Sequence, residues 1–397
     1  MKKVAIISRH YFLPIPPIYG GACEELINIL IEENEKNKQV ELVCFQKYFD
    51  KKTMLELQKY KFQNTKMVYV KTNKVLDFFV KAINKVCKKA KIKLRLVNTY
   101  DAKVLKYLKK HKVDKVIFEA GTPNNAKKYT KYYDREQIYK HLHTQEKKED
   151  ISAYVGNLLG VSQFVCEDYQ KWLASKGIKN VKDHTLLNFV KEEKFNKPFS
   201  ETEKKELRAK YGYDEKDFVV IFTGRISEEK GVRELVKAIE KIKDDKVKLM
   251  IVGSPNFKDK TRSKFLSELQ KYQAGLGDRL VFTGYVENTE LYKYYKMADL
   301  QAVPSMWEEA AGLVVAEGVL CGTPQIVTRS GGIPEYVCKE GSVILEREGV
   351  IDALAENITR LSKDKQQLEK MQKANLEHAK TYKKANYFKN FVKIMEK

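Results

Sequence analysis

Two glutamates eight positions apart, Glu309 and Glu317, flank the run Ala-Ala-Gly-Leu-Val-Val-Ala. Were both on one ideal helix they would stand about 12 Å apart. That is too far to share one reacting atom, so each is expected to touch a different part of a long ligand. A carboxylate accepts hydrogen bonds in pairs, which suits vicinal hydroxyls of a sugar or a ribose. Glu308 is the nearest competitor for these roles and reads equally as a solvated neighbour. Upstream, Phe222-Thr-Gly-Arg-Ile-Ser-Glu-Glu-Lys-Gly231 places Gly224, Arg225 and Lys230 after a β-prone run and before a helical one. A forked donor, a mobile point charge and a close backbone are what a pyrophosphate needs. Both cations would also stabilise negative charge developing on a leaving phosphate. A surface turn with solvated charges is the plain alternative.

These groups need elements to hold them. Phe218–Thr223, Lys248–Gly253, Leu280–Thr283, Leu300–Val303 and Gln325–Thr328 read as strands. They alternate with helical runs at Val232–Ile242, Lys264–Tyr272, Glu290–Ala298 and Gly312–Leu320. Such alternation predicts a mostly parallel sheet covered on both faces. Ser305 and Glu309 then fall in the loop after a strand. Gly312 opens a helix whose first N–H groups, at Gly312 and Leu313, suit a phosphate. The turns Gly322-Thr-Pro324 and Gly331-Gly-Ile-Pro-Glu335 are structural punctuation first. In the first half, Val4–Ser8, Val40–Phe45, Lys115–Glu119, Leu159–Ser162 and Leu186–Val190 are expected strands, with a helix carrying Leu26, Ile27, Leu30 and Ile31. A polar stretch from Lys191 to Lys205 marks a boundary. We expect an α/β protein with domains 1–195 and 196–375, two Rossmann-like units facing a central cleft. The tail 376–397 is expected as a long polar helix that crosses back to the first domain.

The second half resembles the retaining glycosyltransferases of family 4, two-domain enzymes of the GT-B fold. Glu309 and Glu317 match the family's paired glutamates, and Gly224-Arg225 with Lys230-Gly231 match its Gly-Arg and Lys-Gly. Pro304-Ser305, Gly312-Leu313, Gly322-Thr-Pro324 and Gly331-Gly332 also fall where the family has them. The likeness is specific over 218–340 and weaker elsewhere. It implies that Arg225 and Lys230 hold the donor diphosphate, Glu317 the ribose and Glu309 the transferred sugar, with the Gly312-Leu313 backbone against phosphate or sugar. It implies no bound metal and no cofactor beyond a nucleotide-diphosphate sugar as donor substrate. No Asp-x-Asp motif is present, and the two cations could supply the charge instead. Pro17-Ile-Tyr-Gly-Gly21 is similar to the family's first glycine loop, so Gly20 and Gly21 would approach the donor phosphate. His143, in His-Leu-His-Thr144, is similar to the histidine that faces the donor sugar; a buried histidine is the alternative. Glu119 reads as either an acceptor-pocket residue or a structural one. Leu187-Asn-Phe-Val-Lys191 departs from the family's Pro-Asn-Gly-Val-Asp, and Tyr387-Phe388 are expected to replace the family's Trp-containing start of the terminal helix.

Charge bears on partners. The chain of 397 residues carries a net charge of +22, and residues 1–195 hold 39 Lys/Arg against 22 Asp/Glu. Residues 78–95 line up Phe78, Phe79, Ala82, Ile83, Val86, Cys87 and Ala90 at helical spacing, beside seven cations and no acid. This reads either as an ordinary helix with its apolar face on a sheet or as a helix resting on an anionic membrane. No run of 18 apolar residues occurs. The first apolar run, Val4–Ile7, is short and precedes Arg9 and His10, unlike a signal peptide. We expect a cytoplasmic protein, with peripheral membrane contact through 78–95 as an option. Six scattered cysteines without a CxxC pair suit a reducing compartment. The resemblance and the basic first half together imply sugar transfer to a glycan or lipid-linked acceptor in surface polysaccharide or glycolipid synthesis. Alternatives are an epimerase or phosphorylase of the same architecture, and a nucleic-acid-binding protein. The last lacks any interleaved aromatics, helix-turn-helix or zinc pattern, so no nucleic-acid partner is expected.

Overall fold

A computed structural model describes residues 1–8, 12–16, 21–92, 96–120, 126–145, 148, 150–255 and 264–397, with Lys88 described by its backbone alone. The chain forms two compact units, 1–188 with 384–397, and 189–383.

In the first unit seven strands run parallel: β1 (Lys2–Ile7), β2 (Val40–Lys47), β3 (Thr65–Val70), β4 (Lys115–Glu119), β5 (Ile138–Leu142), β6 (Asn157–Gly160) and β7 (Lys182–Thr185). Their order is β3-β2-β1-β4-β5-β6-β7, with Ile7 level with Phe45 on one side and Phe118 on the other. The order reverses beside β1, so loops leaving β1 and β4 diverge and leave a crevice at the carboxyl edge. Leu186–Val190 is not a strand. The last strand is Lys-Asp-His-Thr at 182–185, a sheet edge defined by backbone pairing with β6. The tail is two helices, 365–379 and 384–396. The second packs on helix 22–37 and buries Tyr387 and Phe388, so it belongs to the first unit.

The second unit holds β8 (Phe218–Thr223), β9 (Val247–Val252), β10 (Leu280–Gly284), β11 (Leu300–Val303), β12 (Gln325–Thr328) and β13 (Ser342–Leu345), parallel in the order β10-β9-β8-β11-β12-β13. Every residue of β8, β9, β11 and β12 is buried, as strands covered on both faces require. Helix 232–241 buries Val232, Leu235, Val236 and Ile239, one face at three- and four-residue spacing. This sheet reverses order between β8 and β11, where the two predicted phosphate and sugar segments emerge.

Helix 74–89 of the first unit is oriented opposite to the ordinary reading. Its more sheltered residues are Asp77, Val80, Asn84 and Cys87, whereas Phe78, Phe79, Ile83 and Val86 are exposed. Polar bonds hold it. Asp77 accepts from the Thr99 N–H at 2.6 Å and hydroxyl at 2.8 Å, and Asn84 exchanges bonds with both backbone groups of Leu96. Lys93 and Arg95 lie outside the described residues.

Candidate functional site

β8 ends at Thr223, and the chain turns through Gly224 and Arg225 into a short 3-10 turn, Glu228–Lys230, before helix 232–241. β11 ends at Val303 and enters the Pro304–Ala311 loop. The two loops interlock because Gly231 has no side chain. It sits at φ +70°, and a Cβ there would meet the Pro304 carbonyl oxygen at 1.8 Å. The Met306 N–H donates to the Glu229 carbonyl at 2.9 Å. Lys230 is thereby aimed across the gap, and its ammonium donates to Glu309 Oε1 at 2.6 Å. The Ser305 hydroxyl lies 2.8 Å from the same oxygen. Ser305 is itself fixed, since its carbonyl accepts from the Thr328 and Ser330 hydroxyls at 2.7 and 2.6 Å. Gly332 donates its N–H to the Glu309 carbonyl at 2.7 Å, which gives the Gly331-Gly332 turn a definite task.

Arg225 pairs with Glu229 at 2.6 Å, and its side chain is 60% exposed. A pair that open is worth about 0–1 kcal/mol, so the guanidinium is readily surrendered to an anionic ligand. Glu308 turns to Arg347 and stands apart from the Lys230–Glu309–Ser305 group. Gly312 precedes helix 313–320 and offers no side-chain cap, so the first-turn N–H groups keep their capacity for an anion.

Glu317 occupies the second turn of that helix. Its carboxylate accepts from the Tyr295 hydroxyl at 2.7 Å, and Tyr295 meets the Thr223 hydroxyl at 2.7 Å. A chain of three side chains thus ties Glu317 to the end of β8. Part of Glu317 stays open, yet the packing around its carboxyl is dense. Burial raises its pKa to about 7, against the lowering effects of the Tyr295 bond and the Lys194 charge. Glu309 and Glu317 therefore differ: one is held by a cation, the other by a neutral hydroxyl in a dense setting.

Beside Gly224 lies a cavity of about 260 Å³, lined by Arg225, Gly253, Ser254, Tyr285, Val286 and Asn288 among others. Gly253 makes it possible, because a Cβ there would fall 1.8 Å from the Gly224 carbonyl oxygen. The sequence reading missed this cavity and also Tyr295. Neither sits in a motif; the only hint for the cavity was a glycine after β9.

The first unit brings Glu119, at the end of β4, against both histidines of β5 and its exit. His141 Nδ1 lies 3.0 Å and His143 Nε2 2.7 Å from Glu119 Oε2, and all three side chains are at most 8% exposed. Burial works against charge on both sides here. The His141 charge and the bonds to both histidines nevertheless hold Glu119 well below the usual carboxylate range. For His143, bonds to Cys23 and Glu119 and the Glu119 charge outweigh burial and raise its pKa to about 10. Ligand atoms of Glu119, His141 and His143 lie within 4.8 Å of one another, so among the described residues this group could hold a metal ion. Gly21 precedes helix 22–37 next to Glu24, whose carboxylate accepts from the Leu13 N–H at 2.7 Å. Gly20 lies outside the described residues.

Residues 203–378 match the family described as glycosyl transferases group 1. An uncharacterized glycosyltransferase of Methanocaldococcus jannaschii is 31% identical over 180 residues, 45% of this chain and 44% of that protein. The D-inositol 3-phosphate glycosyltransferase of Mycobacteroides abscessus is 32% identical over 166 residues, 41% and 37% of the two chains. This chain thus spans under half the length of the curated relatives it matches. Solved structures are similar along the whole chain. A glycosyltransferase from Rickettsia africae superposes with a TM-score of 0.71 at 17% identity, covering 100% of this chain and 98% of that one. The Anabaena protein HepE, in complex with UDP, gives 0.69 at 18% over the whole of both chains. The fold is accordingly the two-domain GT-B architecture, and the match to glycosyl transferases group 1 covers its residues 203–378.

Proposed function

We propose that this chain is a retaining glycosyltransferase of family 4, moving a sugar from a nucleotide-diphosphate sugar to a hydroxyl of a glycan or lipid-linked acceptor. The observation that carries the reading is the Lys230–Glu309–Ser305 group with Arg225 beside it, at the point where the second sheet reverses order. Arg225 and Lys230 take the diphosphate, helped by the N–H groups at Gly312 and Leu313. Both bonds from Lys230 and Ser305 fall on Oε1 of Glu309, and we assign its Oε2 to the sugar hydroxyls. Glu317 takes the ribose, and the cavity at Gly224, Gly253 and Tyr285 takes the base. His143 is assigned to the transferred sugar, and Gly20 with Gly21 to the donor phosphate, on the family resemblance. The neighbours named are the HepE complexes with UDP and UDP-glucose, which support a uridine nucleotide as the first donor to try.

In the reaction, the bond between the anomeric carbon and the diphosphate oxygen breaks, and its electron pair leaves with the nucleotide. The acceptor oxygen bonds to the same face, and its proton passes to the departing phosphate oxygen. Arg225 and Lys230 offset the charge that appears there. Two cations at that place support metal-independent chemistry, so chelation is expected to leave turnover intact. The setting we propose is surface polysaccharide or glycolipid synthesis at the cytoplasmic face of a membrane, with helix 74–89 as the contact. No helix of the described residues is long and apolar enough to cross a membrane. The deciding experiment is a thermal-shift screen against nucleotide sugars, since a ligand of the folded state stabilises it by mass action. The preferred donor is then incubated with chelator, and the anomeric configuration of the product is read by NMR. Inversion at the anomeric carbon, or no stabilisation by any nucleotide sugar, would refute the reading.

A further inference from the structure

The first unit holds a cavity of about 650 Å³ beneath helix 74–89, a size typical of small-molecule sites. It opens at the carboxyl edge of the sheet, since Lys47 ends β2 and Tyr100 reaches the Ser8 carbonyl just past β1. Gly21, Glu119 and His143 lie along the same edge.

The charge of the lining is mainly positive. Among the described residues its one acid is Asp77, whose carboxylate accepts from the neutral Thr99 N–H and hydroxyl. Asn84 is spent on Leu96, and Asn98 caps helix 99–110 through the Asp101 N–H while binding the Asp101 carboxylate. Against that acid stand Lys47, Lys74 and Lys81, none of which has an acidic partner among the described residues, with the Lys47 ammonium 5.2 Å from the Phe49 ring centroid. Three lysines against one acid leave the lining with an excess of positive charge, which fits a group bearing about two negative charges. Phe78 lines the cavity and also begins the outward apolar row of Phe79, Ile83 and Val86, and Phe78 is 69% exposed. An anion-binding cavity with an apolar ridge at its rim matches a ligand that is phosphorylated at one end and hydrocarbon at the other.

We propose that this cavity is the acceptor site and that the acceptor is a lipid carrying a phosphate or diphosphate, its phosphoryl group among Lys47, Lys74 and Lys81 and its chain along the ridge. The inference rests on the glycosyltransferase reading for the word acceptor, and it names the acceptor's class.

Binding of farnesyl diphosphate below its micellar concentration, of farnesol and of inorganic diphosphate to the full chain would be measured by calorimetry. Saturating nucleoside diphosphate would be present throughout to occupy the donor site. Farnesyl diphosphate is expected to bind about tenfold more tightly than either fragment. Lys74→Glu with Lys81→Glu is expected to weaken it about tenfold or more, with melting temperature and nucleoside diphosphate affinity unchanged. Phe78→Ser with Phe79→Ser is expected to weaken farnesyl diphosphate and leave inorganic diphosphate unaffected. Equal affinity for farnesyl and inorganic diphosphate would mean a free-phosphate site and overturn the proposal. Equal affinity for farnesyl diphosphate and farnesol, or indifference to the lysine changes, would overturn it too. Nucleotide-sugar binding is scored in the same preparation. Its failure sinks the glycosyltransferase reading, whereas its success with no farnesyl diphosphate binding sinks only the acceptor site.

Discussion

Donor affinity should depend on pH through Glu317. Its folded pKa of about 7 stands well above the ordinary 4.5 because burial outweighs the Tyr295 bond. A ribose hydroxyl pair bonds best to the ionised carboxylate, so binding should release the proton and tighten as pH rises. If the bound carboxyl returns to about 5, its free form is roughly nine-tenths protonated at pH 6 and one-tenth at pH 8. Affinity should then fall about tenfold, or ~1.4 kcal/mol, between pH 8 and pH 6. The ligand should be an intact nucleotide sugar, whose bridging diphosphate has no proton to exchange in that range. Calorimetry at three pH values, in two buffers of different ionisation enthalpy, gives both the affinity and the proton released. Glu317→Gln keeps an acceptor for the Tyr295 hydroxyl and should bind more weakly at pH 8, with a flat pH profile.

The same residue makes an independent prediction about folding. The folded carboxyl keeps its proton between about pH 4.5 and 7 while the unfolded chain gives it up. Its contribution to stability therefore declines as pH rises through that window, by at most about 3 kcal/mol. Glu317→Gln without ligand should be more stable than the parent at pH 8 and comparable at pH 4. A flat affinity in the parent, or one slope shared by both proteins, would refute the ribose assignment. A stability gain without a binding loss would leave Glu317 a structural residue only.

Glu309→Ala and Lys230→Ala should each lower transfer by about a hundredfold or more, with melting temperatures near the parent's because both side chains are partly open; wild-type turnover in either would remove the site assignment. Gly231→Ala forces a Cβ into the Pro304 carbonyl at a left-handed φ, so denaturant unfolding should show a loss of about 2–4 kcal/mol and donor binding should fall with it. His143 gains protonation on folding, and its raised pKa contributes stability that is full below about pH 6.5 and is lost as pH rises through about 10. The stability difference between the parent and His143→Gln should therefore shrink between pH 7 and pH 10, measured by urea unfolding; a constant difference would mean that the Glu119 pairing is not ionic.

The second unit was legible where its strands β8, β9, β11 and β12 are buried on both faces and written as largely apolar runs, such as Phe218-Val-Val-Ile-Phe222, whereas the part-exposed edge strand β13 went unread. Its site glycines and charges also sit at fixed distances from strand ends. Arg225, Lys230, Ser305, Glu309 and Gly312 all emerge around one switch point. The first unit hid more. β3 carries a lysine within Thr-Lys-Met-Val-Tyr-Val, and β5 reads Ile-Tyr-Lys-His-Leu. In β5 the sheet buries Lys140 to 1% exposure, with its ammonium 5.4 Å from the Tyr169 ring centroid. No rule of hydrophobic alternation finds a central strand whose lysine and histidine are inside, because the compensating groups come from elsewhere in the chain. β7, with no apolar residue at all, exists through its backbone bonds to β6, and the apolar run after it drew the strand assignment four residues too late.

Helix 74–89 exposes the deeper limit. Periodicity grouped Phe78, Phe79, Ile83 and Val86 on one face, wrongly added the buried Cys87, and left open whether that face meets the sheet or a membrane. Direction is not contained in a period. It is decided by what the opposite face can bond to, and here Asp77 and Asn84 find Thr99 and Leu96, partners that only the fold supplies. Those polar bonds fix the helix with Phe78, Phe79 and Val86 outward, at a cost that water would impose on each of them. The lipid proposed above would cover that row. Ten residues without an acid lie between Asp77 and Lys88, and the cations interleaved among the apolar positions suit the anionic ligand proposed above.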